Sequence, residues 1–222
     1  MRPAEAYARL QGLHRPVFAN AEAVAALRLD KTATAHALAG LARDGLIVKL
    51  RQGLWAIPNS FGGRVDPLEV LPMLTRPYPS YSSLWTALAA HDMIEQIPRA
   101  IHAVSLDRAR EMPTSIGTFR VHRVTPELYG GIEGATEIRA GTATPEKALF
   151  DTVYLLVART GHGSLPEIEI PNEFDVEALY SWADRVASAR WRTLTVRYLT
   201  ALGLPPPPVD GAVRRREQAR PS

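Results

Sequence analysis

The chain contains no cysteine among its 222 residues. Disulfides, thiolate metal sites and cysteine nucleophiles are therefore excluded, and a reducing compartment fits. Lysine is scarce as well, with three against 23 arginines. No uninterrupted apolar run approaches the roughly 18 residues of a membrane span. The N-terminal MRPAEAYARL lacks the apolar centre of a signal peptide. A cytoplasmic protein with no membrane association is expected. Phosphate-loop, G-x-G-x-x-G and H-E-x-x-H motifs are all missing. No cofactor and no metal are expected, no catalytic residues are assigned, and the chain reads as a non-enzyme.

What is present describes a globular protein, 46% hydrophobic and 22% charged, long enough for one large or two ordinary domains. Charge is unevenly spread. Residues 1–64 carry nine Lys+Arg against four Asp+Glu, residues 65–211 carry 13 against 18, and residues 212–222 carry four against one. A basic head on a mildly acidic body is the distribution of a nucleic-acid-binding module joined to something else.

The stretch from Asn20 to Pro58 organises the head. Asn20 is a good N-cap and Glu22 suits the first turn of a helix. Leu29-Asp30 is a short turn, and Asp30 can cap a second helix with Thr34, Leu38 and Leu41 on one face and Gly45 just past its end. Leu46–Leu50 and Leu54–Ile57 are strand-like, joined by Arg51-Gln52-Gly53. A first helix over residues 3–13 precedes them, and Val17 and Phe18 plug the core from a connector. Helix, tight turn, helix and two-stranded wing is the order of a winged helix-turn-helix. In the second of those helices Lys31, Thr32, His36 and Arg43 are read as pointing away from the Leu38/Leu41 stripe, and Ala33, Ala39 and Gly40 are small enough to permit close approach to a major groove. Threonine and histidine can bond base edges or phosphates, and the cations supply phosphate charge. Lys49 and Arg51 flank the wing tip. The DNA-binding set is thus Lys31, Thr32, Ala33, His36, Arg43, Lys49 and Arg51, with double-stranded DNA as partner.

Residues 59–64 (NSFGGR) form the candidate joint, giving domains at 1–60 and 65–203, with a Pro/Arg-rich disordered tail at 204–222. In the body, Asp66-Pro67 opens a helix. Ser80 or Ser82 caps another that runs to about His91. Strands are expected over 100–106, 117–124 and 137–140, with one helical turn at 126–129. Thr144-Pro145-Glu146 starts a strong helix, and two helices follow over 174–188 and 190–202. The fold class is α+β, a winged helix-turn-helix followed by an α+β body.

Three segments, GLIVKLRQGLWAIP, YSSLWTALAAHDMIEQIP and RAGTATPEKALFD, together resemble the AbiEi-like antitoxins of type IV toxin–antitoxin systems. The motifs are Tyr81-Ser82-Ser83, Ala87-Leu88, His91, Gln96-Ile97-Pro98 and Thr144-Pro145-Glu146-Lys147-Ala148-Leu149-Phe150-Asp151, and the likeness spans about residues 5 to 157. Where such proteins often carry a glycine after the helix histidine, this chain has Asp92. The resemblance implies an autorepressing antitoxin that binds inverted repeats at its own promoter. It also implies a body that counteracts a nucleotidyltransferase-like toxin without a stable complex. Two copies would sit on an operator, with a monomer in solution. The alternative is a winged-helix transcription factor whose C-terminal domain senses a small ligand and has no toxin partner.

Other chemistry is weaker. Lys147 and Asp151, at i and i+4, read as a surface pair worth a few tenths of a kcal/mol. Ser82 and His91 lie about 13 Å apart along a helix, beyond hydrogen-bond reach. His102 and His122 can face each other on strands but lack a matched carboxylate for a metal. Glu133, Glu137 and Lys147 are the residues a nuclease site would need, and nothing in their spacing assembles them.

Overall fold

A computed structural model describes residues 1–59, 63–158 and 165–207, with backbone only at 157 and 158. The fold is α+β. Among the described residues there are eight α-helices, a three-stranded sheet and a six-stranded mixed sheet. None of those helices is long and apolar enough to cross a membrane.

The first unit runs α1 (Pro3–Gln11), β1 (Val17–Ala19), α2 (Asn20–Leu27), α3 (Lys31–Arg43), β2 (Val48–Arg51) and β3 (Leu54–Ala56). Its strand order is β1-β3-β2, all antiparallel. The expected connector contains β1, whose Phe18 pairs with Trp55, and both Val17 and Phe18 are buried as expected. Leu10, Phe18, Leu27, Leu38 and Leu41 meet in one apolar cluster. Each such buried side chain contributes about 1.5–3 kcal/mol. That cluster fixes the axis of α3 against α1 and α2.

The second unit contains α4 (Pro67–Thr75), β4 (Ser80–Ser82), α5 (Leu84–Ala90), β5 (Ile101–Ser105), β6 (Arg110–Thr114), β7 (Gly117–Arg123), β8 (Ile132–Glu133) and β9 (Thr142–Ala143). It continues through α6 (Pro145–Thr152), a π-helical extension (Val153–Ala158), α7 (Val176–Asp184) and α8 (Ala189–Ala201). Sheet order is β6-β7-β5-β4-β9-β8, with parallel pairings at β5–β7 and β4–β9. Alternation along β5 splits the core. Val104 joins the cluster built by α5, α6, α7 and α8, whereas Ala103 joins one containing α4.

That second cluster crosses the expected domain boundary. Val17, Leu50 and Leu54 of the first unit pack with Val70, Leu71, Phe119 and Val121 of the second. Ser115, at the β6–β7 turn, donates its N–H to the Leu50 carbonyl at 2.9 Å. The small sheet is thus docked on the large one, whatever the path through residues 60–62, which lie outside the described residues.

Several local expectations are corrected. Ser80 and Ser82 lie in a strand and cap nothing, and α5 starts only after Ser83. Residues 137–140 form no strand. Arg139 instead bonds Asp66 at 2.9 Å, and its N–H meets Thr136 Oγ1. The Asp66 cap holds, accepting the Leu68 N–H at 2.9 Å. Asn20 is the first residue of α2, not its cap. Leu204, the first hydrophobic residue of the expected tail, is buried, and its carbonyl accepts the Tyr180 hydroxyl at 2.7 Å. The expected disorder at 208–222 falls outside the described residues.

Candidate nucleic-acid interface

Helix α3 is positioned from both ends. Asp30 caps it, accepting the Ala33 N–H at 2.8 Å. The turn into it is closed by Arg28, whose φ of 55° is the left-handed conformation, and by Arg9, whose guanidinium donates to the Leu27 carbonyl at 2.8 Å. Thr34, Leu38 and Leu41 bury one face. Gly45, at φ +72°, turns the chain out of the helix, a conformation that other residues adopt only with strain.

The opposite face follows from helical geometry. Thr32, His36, Ala39 and Arg43 fall at i, i+4, i+7 and i+11, a single stripe of about 16 Å. All four are exposed. Ala33 is half-buried beside the stripe. Lys31 is exposed but does not share the stripe. It lies seven residues before Leu38, which places it toward α2, where it borders a groove with Asn20, Val24 and Leu38. Its assumed orientation away from the apolar stripe is corrected accordingly.

Lys49 and Arg51 are exposed on β2. The Lys49 ammonium sits 5.7 Å from the Trp55 ring centroid, directly across the ladder. A register shift between Lys49 and Arg51, followed by Gly53 at φ +78°, makes the hairpin tip. Among the described residues, none of Lys31, Arg43, Lys49 or Arg51 enters an ion pair. Those four charges are available to an outside anion.

Sequence reasoning missed two supports of this face. Trp55 Nε1 donates to Asn20 Oδ1 at 2.7 Å, tying the start of α2 to β3. Glu22 accepts the Ala19 N–H at 2.7 Å and pairs with Arg15 at 2.9 Å, so the carboxylate nearest α2's first turn is already engaged. The Glu22 contact is legible as half of a capping pattern. Nothing in the sequence announces the Asn20–Trp55 bond, whose partners are 35 residues apart.

The motif residues of the body come together elsewhere. The Tyr81 hydroxyl and Ser83 Oγ both donate to Asp151 Oδ2, at 3.0 and 2.7 Å, while Lys147 Nζ pairs with Oδ1. Lys147 and Asp151 are fully buried, so the surface-pair reading is wrong. Every residue of α6 from Lys147 to Thr152 is buried, because α5 and α7 pack against this helix. The ammonium lies 4.9–5.3 Å from the Trp182, Phe150 and Tyr81 ring centroids. Burial pushes the Lys147 pKa down, against the opposing pull of Asp151. Burial likewise pushes the Tyr81 hydroxyl up, reinforced by the Asp151 charge. The cluster has no exposed face for a substrate, and its chemistry is that of a satisfied polar core.

His91 Nε2 lies 2.7 Å from the Ala143 carbonyl, so its ring is engaged by the backbone rather than by Ser82. His102 Nδ1 and His122 Nε2 do face each other, at 3.2 Å with rings stacked. His102 is held down to about 4 by burial, then by the neighbouring His122 and Arg120 charges. Among the described residues no group of three His, Asp or Glu is placed to hold a metal ion. Glu133 and Glu137 border different cavities, and Lys147 is committed to Asp151, so they form no common site. No model of a known protein family matches the chain, and a comparison with curated proteins finds no match.

Proposed function

We propose that the first unit is a winged helix-turn-helix that binds double-stranded DNA, with α3 in the major groove and the β2–β3 hairpin as the wing. The observation that carries this reading is the Thr32–His36–Ala39–Arg43 stripe. It is exposed and anchored by a capped and packed helix, and Lys49 and Arg51 on the β2–β3 hairpin are exposed with no acidic partner among the described residues. Two small residues, Ala33 and Ala39, flank Thr32 and His36 and leave room for base edges. Lys49 and Arg51 add phosphate contacts beside the groove.

The chain acts as a transcriptional repressor of its own promoter and as the antitoxin of a type IV pair, opposing a nucleotidyltransferase-like toxin without a stable complex. Support for this second half is the motif resemblance over residues 81–98 and 144–151, together with the basic head on an acidic body. A monomer in the cytoplasm would bind as two copies per operator. The test is a reporter driven by the DNA upstream of the gene, with and without the protein, followed by co-expression with the neighbouring gene. Repression plus rescue of growth is expected. Repression without rescue would leave a regulator and remove the antitoxin role.

A further inference from the structure

The small sheet is covered on both faces. Phe18 and Trp55 join the cluster made with α1, α2 and α3, whereas Val17, Leu54 and Ala56 join the cluster of the second unit's sheet. That is the two-sided alternation of a strand. Leu50 interrupts it. Lys49 pairs with Trp55 and Arg51 with Leu54, so the ladder skips Leu50. An extra residue of this kind bends its strand, sharpens the local twist and re-aims a neighbouring side chain.

The second unit grips the skipped residue twice. The Leu50 side chain is buried in one cluster with Met112 of β6 and with Phe119 and Val121 of β7. Its carbonyl accepts the Ser115 N–H at 2.9 Å from the β6–β7 turn, where Ile116 packs against the same cluster. Backbone groups that a bulge withdraws from the ladder need another partner, and here it comes from the second unit. Arg51 follows immediately and is exposed. The other fastenings between the units lie away from the tip. Val17 shares the cluster with Val70 and Leu71, and Arg76 Nη1 lies 3.6 Å from Glu22. Loss of the Ser115 bond therefore frees the tip and leaves the units docked.

We infer that the β6–β7 turn is a positioning element for the wing: by holding Leu50 it fixes the direction in which Arg51 leaves the hairpin tip. Ser115 and Ile116 act through Leu50 and not on DNA. The phosphate contact assigned to Arg51 depends on the second unit, while base reading by α3, which is held by its own cluster, does not. The effect on DNA rests on the proposed wing role of the hairpin, whereas the grip itself is read without DNA.

Ser115→Pro removes the donor. Ser115 holds the first central position of the turn between the paired Thr114 and Gly117, and it lacks the positive φ that would bar proline there. Ser115→Ala keeps the N–H and is the control. Amide exchange of the ¹⁵N-labelled full chain, without DNA, should quicken about five- to tenfold over residues 49–54 in Ser115→Pro, as loss of one hydrogen bond requires. It should stay unchanged in α3 and throughout Ser115→Ala. Salt titrations against upstream and scrambled duplexes should show a slope smaller by about one in Ser115→Pro, with no further decrease when Arg51→Ala is added. The ratio between the two duplexes should not change. Ile116→Ala trims the same contact and should move both readouts the same way; it serves in place of Ser115→Pro if that variant lowers the melting temperature of the whole chain. Unchanged exchange over residues 49–54, or equal effects of Ser115→Ala and Ser115→Pro, would overturn the grip. Quickened exchange with an undiminished slope would overturn the positioning of Arg51. If the unaltered chain binds neither duplex, the DNA-binding reading fails and the wing role falls with it, while the exchange result still decides the grip.

Discussion

Two of the three lysines lie on the first unit and face water; the third is sealed inside the second unit. Lys31 and Lys49 form no ion pair among the described residues, while Lys147 is enclosed by Asp151 and three aromatic rings. The contrast separates two uses of the same charge. A solvated cation adds little to stability but remains available to a partner. A buried cation is wholly committed, and its worth lies in what its removal leaves exposed to a low-dielectric core.

Asp151→Ala breaks the buried side hardest. It strands an ammonium and two hydroxyl donors, and a loss of about 3–5 kcal/mol is expected from urea unfolding. A loss below about 1 kcal/mol would mean that the cluster relaxes into water. The double change Lys147→Met, Asp151→Leu sharpens the point, because removing both charges together should restore much of the stability.

His102 comes next. The folded imidazole is held neutral down to about 4, below its ordinary value of 6.5. Below 6.5 the unfolded chain binds a proton that the native chain refuses. The stability is present above 6.5 and is lost as pH falls toward 4, by up to about 3 kcal/mol. Urea midpoints at pH 7 and 4.5 should differ accordingly, and His102→Gln should flatten the difference.

On the exposed side the effects move from folding to binding. His36→Ala and Thr32→Ala should leave stability within about 0.5 kcal/mol. Each should cost about 1–3 kcal/mol on operator DNA and much less on scrambled DNA. Equal losses on both duplexes would reduce this face to phosphate contacts. Arg51→Ala is the smallest, lowering affinity on all sequences and flattening the salt slope by about one. An unchanged slope would remove the hairpin tip from the interface.

The exposed side was the more legible one. Asp30, the Thr34/Leu38/Leu41 spacing and Gly45 are local signals, and they fixed α3 and its outward stripe. The buried side was not. An i,i+4 Lys–Asp pair looks the same on a surface as in a core, and only α5 and α7, supplied by distant sequence, decide which it is. β6 was missed because Arg110-Glu111-Met112-Pro113-Thr114 carries charges and a proline, which an edge strand tolerates. β4 was missed because Ser80 and Ser82 are better known as helix caps than as members of a buried strand. The expected strand over 137–140 failed through Arg139, whose tie to Asp66 bends that segment into a loop.

Binding of the full chain to duplex DNA from upstream of its gene, against a scrambled duplex over a range of salt, tests the central claim most directly. The account predicts a preference for the upstream duplex that His36→Ala erases, and a salt slope that Arg51→Ala reduces. Weak, equal binding to both duplexes, indifferent to either substitution, would contradict it and leave the α3 stripe a solvated surface.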